Sequence, residues 1–142
     1  FTAEAVCDSF GFAKLNTLEE LCRQADIISI SAPLTEKTAN MISAKELSLM
    51  KKTAIIINTS RGGIINEEDL YTALKENKLF GVALDVFAEE PVKAEHPLLT
   101  CANVIATPHN GANTADALIR MGTGAVDEIV RIKNGQEVLS RL

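Results

Sequence analysis

The apolar residues of this chain fall into short unbroken runs, and the stretches between them have the periodicity of amphipathic helices. The clearest run extends from Ile55 to Ile57 and ends in small polar residues. Unbroken β-branched runs of this length are typical of strands that are buried on both faces of a parallel sheet. We therefore predict strands at residues 26–31, 53–58, 80–86 and 104–106, and a brief strand at 11–15.

Capping signals mark where the helices between these strands begin. Asn16 or Thr17 can cap a helix that runs to about Ala25, and Ser43 with Glu46 has the spacing of a capping box. The alternation of strand and helix implies an α/β fold, a parallel sheet with flanking helices joined by right-handed crossovers. The predicted helices lie at residues 1–10, 17–25, 43–50, 67–77 and 114–133.

Composition limits the class of protein. The chain has 142 residues, of which 46% are hydrophobic and 4% aromatic, and this predicts one α/β domain with an aliphatic core. The net charge of −5 and the lack of a basic run argue against nucleic acid or anionic membranes as partners. No apolar run is long enough to cross a bilayer, and the first residues lack the features of a signal peptide. Cys7, Cys22 and Cys101 are odd in number and widely spaced, which indicates reduced thiols of a cytoplasmic protein, without a metal site or a disulfide framework.

Residues that could take part in binding or catalysis are concentrated at the ends of the predicted strands. Pro33, Arg61, Asp85 and His109 each lie at or just after the end of one strand. Ligands of open α/β sheets bind beyond the carboxyl ends of the strands, so these four residues should meet at one rim. The glycine pair that follows Arg61 allows the backbone to turn sharply and something else to approach closely.

Each of these residues also has a structural explanation. Arg61 could pair with a nearby carboxylate on the surface, and Pro33 could simply end its strand. Asp85 follows apolar residues and needs a partner, which could be a structural hydrogen bond or a ligand. The acidic pair Glu89–Glu90 could belong to a solvated loop. His96 lies in a polar loop and is interpreted as solvated.

A histidine, a carboxylate and an arginine around one small apolar pocket suit redox chemistry on a 2-hydroxy or 2-keto acid. Histidine transfers protons near neutral pH, and a carboxylate close to it raises the pKa of the imidazole and fixes its tautomer. Arginine binds a substrate carboxylate through its planar fork, which supplies both energy and orientation. Hydride then leaves or enters the substrate carbon while the histidine transfers a proton from or to the substrate oxygen.

Three long motifs stand out in the sequence. They are Asn-Thr-Ser-Arg-Gly-Gly-Ile-Ile-Asn-Glu at 58–67, Gly-Val-Ala-Leu-Asp-Val-Phe-Ala-Glu-Glu-Pro at 81–91 and Asn-Val-Ile-Ala-Thr-Pro-His at 103–109. These motifs, together with the stretch at 25–38, resemble those of the NAD-dependent D-2-hydroxyacid dehydrogenases, a family that includes D-3-phosphoglycerate dehydrogenases. The resemblance covers nearly the whole chain. It implies a Rossmann-like sheet and an oxidoreductase that transfers hydride between NAD and a D-2-hydroxy or 2-keto acid.

The resemblance implies roles for individual residues. Arg61 would bind the substrate carboxylate, His109 would act as the acid/base, and Glu90 would tune the histidine. Asp85 would meet the nicotinamide end of the cofactor. Asn66 stands where the family usually has aspartate, and since both residues cap helices well we expect no functional consequence. The remaining residues of the implied cofactor site, which also includes Arg61 and His109, are Pro33, Thr38, Thr59, Ser60, Asn110, Gly111 and Ala112.

The glycine-rich turn of the family is absent. Its dinucleotide fold opens with a strand, a Gly-x-Gly-x-x-Gly turn and a helix, followed by a strand that ends in an acid. No Gly-x-Gly-x-x-Gly pattern occurs in this sequence. We therefore expect residues 1–142 to form a partial NAD-binding domain, a fragment without the first strand, the glycine turn, the second strand and the substrate domain. The strand at 27–30 would then have an open edge, so we expect a homodimer, and we expect NAD to bind weakly or not at all.

Two hypotheses of different class follow. The first is part of an NAD-dependent dehydrogenase, inactive as an isolated chain, that acts on a small 2-hydroxy or 2-keto acid. The second is a non-catalytic module or interaction scaffold built on the dehydrogenase fold. The missing glycine turn favours the second hypothesis, whereas the retained Arg61, Glu90 and His109 favour the first. The sequence leaves the identity of the acid, and the choice between NAD and NADP, open.

Overall fold

The computed structural model describes residues 11–139 of the chain. Its sheet consists of four parallel strands, which lie side by side in the order in which they occur in the sequence. The four apolar runs are confirmed as strands; the first three are shorter than predicted, and the strand at 104–106 has the predicted bounds. The strand predicted at 11–15 is wrong because residues 12–15 have no regular structure, and the helix predicted at 1–10 lies outside the described residues. The strands are β1 (Ile27–Ile30), β2 (Ile55–Asn58), β3 (Gly81–Leu84) and β4 (Val104–Ala106).

Helices precede, separate and follow these strands, and their predicted caps are confirmed. The Thr17 hydroxyl accepts the Glu20 N–H at 3.1 Å, and the Asn66 side chain accepts the Asp69 N–H at 3.0 Å. None of the helices among the described residues combines the length and the apolarity that crossing a bilayer requires. The helices are α1 (Leu18–Gln24), α2 (Ala44–Leu49), α3 (Glu67–Lys75) and α4 (Ala115–Lys133), and a 3₁₀ turn at Pro97–Thr100 precedes β4.

The chain forms two compact units, residues 1–108 with the sheet and residues 109–142 with α4. In the first unit Ile28, Ile56 and Val82 are in register and belong to one buried core with side chains of α1, α2 and α3. On the other face of the sheet the exposed fraction of Ile27 is 60% and that of Ile105 is 69%. Burial on both faces is therefore a wrong prediction for the edge strands β1 and β4, whereas Ile55 and Ile57 of β2 are half-buried on this face. An apolar run does not reveal whether a second layer covers it.

Glu46 is a buried carboxylate that stabilises the first turn of α2 through hydrogen bonds. One of its oxygens accepts the Ser43 N–H at 3.2 Å and the Ser43 hydroxyl at 2.7 Å. Burial raises the pKa of Glu46, but the hydrogen bonds from Ser43 and from the Glu46 backbone, together with the neighbouring Lys45 ammonium, outweigh burial and leave the pKa lowered. The ionised form of Glu46 is thus the form that the fold stabilises.

We expect Glu46→Gln to lower the free energy of unfolding by about 1–2 kcal/mol at neutral pH, because hydrogen bonds to a charged acceptor are lost. The pKa of Glu46 is lower in the folded protein than in the unfolded chain. Its contribution to stability is therefore complete at a pH above the pKa in the unfolded chain, and it disappears as the pH falls through the pKa in the folded protein. Urea unfolding at neutral and at acidic pH measures the difference. The exposed Glu36→Gln is the control, and an equal loss at both pH values would contradict the assignment.

Candidate active site

Asn58, the last residue of β2, fixes the loop that follows the strand. Its side chain is almost completely buried, with 2% exposed. The Asn58 carbonyl oxygen accepts the Ser60 N–H at 3.1 Å and the Ser60 hydroxyl at 2.9 Å, and the Asn58 amide donates to the Arg61 carbonyl at 2.9 Å. One amide thus satisfies three polar groups of the turn, which holds Ser60 and Arg61 in place while Thr59 lies exposed on the same loop.

Arg61 is exposed and its guanidinium makes one local contact. Its Nη1 donates to the Ser60 carbonyl at 2.7 Å. Among residues 11–139 no carboxylate oxygen lies within 4.0 Å of the guanidinium, so the surface ion pair that could have explained this residue is not found there. The remaining N–H groups of the planar fork are geometrically suited to a carboxylate ligand.

A cavity of about 560 Å³ opens beside Arg61, where β1 and β2 end. Pro33 forms part of its wall, and Thr38 holds the Pro33 segment in place. The Thr38 hydroxyl donates to the Pro33 carbonyl at 2.6 Å and accepts the Thr35 N–H at 2.8 Å. Thr38 therefore shapes the turn after β1 through its own hydroxyl. The cavity is lined by Ser31, Ala32, Pro33, Leu34, Ser60 and Arg61.

Asp85 follows β3 and is buried, with 5% exposed. Its backbone N–H donates to the Asn58 carbonyl at 2.9 Å, and the Thr107 hydroxyl donates to its Oδ1 at 2.5 Å. Of the two partners that the sequence left open, the structural hydrogen bond is present. Sequence reasoning did not identify Thr107 as this partner, although its position directly after β4 places it next to the end of β3.

Glu90 lies on the loop after β3, and this loop packs against the loop that carries Arg61. The Glu90 Oε1 accepts the Phe87 N–H at 3.0 Å, and the Ala88 N–H donates to Glu67 Oε1 at 2.6 Å. A Cβ placed on Gly62 would lie 1.9 Å from the Phe87 carbonyl oxygen and 2.6 Å from the Ala88 nitrogen. The close approach predicted for the glycine pair is therefore to the backbone beside Glu90.

His109 belongs to the second unit and is its first residue. Its backbone has a positive φ of 50°, which is uncommon for a residue with a side chain and marks a tight turn. His109 and the segment 110–112, which contains Asn110, Gly111 and Ala112, are exposed. The Asn113 N–H donates to the Asn110 carbonyl at 2.8 Å, just before α4 begins.

The first unit places three of the expected site residues on one rim. Pro33, Arg61 and Asp85 all follow neighbouring parallel strands, and the Glu90 loop joins them through its contact with Gly62. The meeting of His109 with Arg61 and Glu90 stays a prediction.

The interpretation of His96 as a solvated residue is wrong. Its Nε2 lies 3.1 Å from Glu67 Oε2, and the exposed fraction of the His96 side chain is 22%. The following residues form the 3₁₀ turn, in which Leu98 is fully buried. Sequence spacing gives no signal for this contact, because it depends on how the 3₁₀ turn packs on α3.

The parallel sheet, its flanking helices and the rim at its carboxyl edge define a Rossmann-like α/β domain. Residues 2–111 match the family described as D-isomer specific 2-hydroxyacid dehydrogenase, NAD binding domain. The chain belongs to this family, whose members are oxidoreductases.

Individual relatives agree with this assignment. The chain is 46% identical over 136 residues to a D-3-phosphoglycerate dehydrogenase of Methanocaldococcus jannaschii, an alignment that covers 96% of this chain and 26% of that protein. It is 43% identical over 124 residues to a glyoxylate reductase of Aeropyrum pernix, covering 87% of this chain and 37% of that protein. The chain therefore spans well under half the length of these relatives.

Solved structures of the family share the fold. The holo form of Rhodotorula graminis D-mandelate dehydrogenase superposes with a TM-score of 0.90 at 28% identity, over 98% of this chain and 40% of that one. Lactobacillus jensenii D-lactate dehydrogenase with NAD⁺ superposes with a TM-score of 0.81 at 27% identity, over 89% of this chain and 42% of that one.

The cavity at the ends of β1 and β2 has a donor group that fits part of a dinucleotide. The serine, alanine and proline side chains in its wall leave room, and the guanidinium of Arg61 supplies hydrogen-bond donors to an oxygen-rich anionic ligand. Ligand sites of open α/β sheets lie at this edge. The residues present are thus compatible with the cofactor of the family.

We expect Gly62→Ala to lower the free energy of unfolding by about 1–3 kcal/mol, because the new methyl group would overlap the backbone of Phe87 and Ala88. Urea unfolding measures the loss, and the Phe87 and Ala88 amide resonances should move. The matched control is Gly122→Ala on α4, where an added Cβ meets nothing within 4 Å and should raise helix stability. A Gly62→Ala variant as stable as the wild type would show that the two loops do not pack this closely.

Proposed function

We propose that this chain is part of an enzyme that transfers hydride between NAD and a D-2-hydroxy acid or its 2-keto acid. The observation that carries the proposal is the exposed guanidinium of Arg61, held beside the cavity by Asn58 and without a carboxylate partner within 4.0 Å among the described residues. Membership in a family of NAD-binding dehydrogenase domains supports it. The substrate is a small molecule with a carboxylate next to the reacting carbon.

Each polar residue has a role in this proposal. Arg61 binds the substrate carboxylate in a bidentate manner and orients the neighbouring carbon. His109 gives a proton to, or takes one from, the oxygen on that carbon. Glu90 pairs with the imidazole, fixes its tautomer and stabilises its charged form.

NAD, when bound, accepts or supplies the hydride. In this proposal Asp85 lies at its nicotinamide end and Arg61 and His109 border the same pocket. The other residues that would hold it are Pro33, Thr38, Thr59, Ser60, Asn110, Gly111 and Ala112.

The first test is the removal of the acid/base group. In the polypeptide as the cell produces it, His109→Ala should reduce turnover by about 10²–10⁴-fold, the usual contribution of general acid/base catalysis. Steady-state kinetics with NADH and a panel of 2-keto acids measures the effect. The exposed Lys52→Ala serves as the control with unchanged turnover, and an unchanged rate for His109→Ala would refute its role.

A non-catalytic module on the dehydrogenase fold is the second candidate function. No Gly-x-Gly-x-x-Gly sequence occurs in the chain, and such a turn at a helix N-terminus is what cradles the phosphates of a dinucleotide. We propose that residues 1–142 alone bind NADH weakly or not at all and are inactive. Calorimetric titration tests this, and micromolar binding would contradict it.

We also propose a homodimer in the cytoplasm. Among the described residues β1 pairs only with β2, so its other edge presents unpaired backbone groups beside Ile27, which is 60% exposed. Cys22 and Cys101 are free thiols, as expected in a reducing compartment. Light scattering should give twice the chain mass, and Ile27→Lys should shift the protein toward monomer. A well-folded wild-type monomer at high concentration would contradict the dimer.

A further inference from the structure

We infer that Glu67 and His96 act as a positioning pair that sets the conformation of the loop bearing Glu90. This inference rests on the proposed function, in which Glu90 is the partner of the acid/base histidine. The pair connects the first residue of α3 to the residue before the 3₁₀ turn, and the Glu90 loop lies against both.

Glu67 uses its two carboxylate oxygens for two different partners. Oε1 accepts the Ala88 N–H at 2.6 Å, and Oε2 lies 3.1 Å from His96 Nε2. The side chains are largely shielded from solvent, with exposed fractions of 18% for Glu67 and 22% for His96. Shielding strengthens hydrogen bonds to a charged acceptor, so this bond restrains the Ala88 backbone.

Phe87 connects His96 to Glu90. The His96 and Phe87 rings meet edge to face, with centroids 5.4 Å apart and planes at 73°. The N–H of Phe87 donates to Glu90 Oε1 at 3.0 Å. Two consecutive amides of the loop thus donate to two carboxylates, one from Glu67 and one from Glu90, and a change at Glu67 or His96 acts on the backbone that orients Glu90.

The helix does not need Glu67 for its own start, because Asn66 already caps α3. Glu68, the next residue, is exposed. Glu68→Gln is therefore a matched control, with the same chemical change in the same helical turn but away from the Glu90 loop.

The geometry also favours one tautomer of His96. An ionised Glu67 carboxylate only accepts hydrogen bonds, so His96 Nε2 must carry the proton of that contact. His96 Nδ1 is buried and has no hydrogen-bond partner within residues 11–139. A bare Nδ1 acceptor is tolerated there more easily than an unpaired N–H, which favours the Nε2–H tautomer over the Nδ1–H tautomer.

The pair is tested in solution by NMR on the chain itself. We expect imidazole ¹⁵N shifts of the Nε2–H tautomer for His96. In Glu67→Ala the exchange rate of the Ala88 amide should rise about tenfold to a hundredfold, as the loss of a hydrogen bond to a charged group predicts, and that of Phe87 should also rise. Glu67→Gln, which keeps an acceptor for Ala88, should restore part of the protection but change the His96 shifts. Glu68→Gln should leave both amides and the His96 shifts unchanged.

The link to Glu90 is tested by a double-mutant cycle of turnover in the polypeptide as the cell produces it. Glu67→Ala should reduce kcat by about tenfold to a hundredfold, because a misplaced acid/base partner costs this much. In a Glu90→Gln background the same substitution should change kcat by less than about twofold, since its effect runs through the Glu90 carboxylate.

The outcomes separate the inference from the proposed function. Unchanged exchange of the Ala88 and Phe87 amides in Glu67→Ala, or a kcat loss that persists fully in the Glu90→Gln background, would overturn the positioning role. Full turnover of Glu90→Gln alone would overturn the role of Glu90 in the proposed function, and amide exchange would still decide whether Glu67 and His96 hold the loop.

Discussion

The candidate site depends on a contact that only glycine permits. Gly62 lies so close to the peptide between Phe87 and Ala88 that a methyl group in its place would fall 1.9 Å from the Phe87 oxygen. The loop after β2 and the loop after β3 therefore approach each other at backbone distance. Arg61 directly precedes Gly62, and the Phe87 N–H holds Glu90, so one contact sets the spacing between the guanidinium and the carboxylate.

The elements of the fold could be predicted because local signals and long-range packing agree for them. β2 and β3 are apolar runs that lie between two neighbours, and α3 begins where Asn66 supplies a side-chain cap. In the segment 11–15 the local signal has no long-range packing to support it. Residues 12–15 do not pair with another strand, and a strand without a neighbour has no hydrogen bonds to stabilise it. Sequence periodicity cannot report whether that neighbour exists.

Site residues show a similar limit. The positions of Arg61 and Asp85 followed from the topology, since carboxyl ends of parallel strands share one edge. The contact between Glu67 and His96 joins residues 29 positions apart and depends on how the 3₁₀ turn packs on α3, which no spacing rule predicts. The exposure of one sheet face at the edge strands was missed for the same reason: Ile27 and Ile105 are apolar, yet both are mostly exposed.

The distribution of charge explains why Arg61 stands out in a protein of net charge −5. Buried or shielded carboxylates are committed to hydrogen-bond donors: Glu46 to Ser43, and Glu67 to Ala88 and His96. Some exposed acids instead pair with lysines, as Glu89 does with Lys93, and such pairs add little stability. A carboxylate beside Arg61 would compete with an anionic ligand for the N–H groups of the guanidinium. With the shielded acids committed elsewhere, the guanidinium remains a local positive site at the strand ends, able to attract an anion that the molecule as a whole would repel.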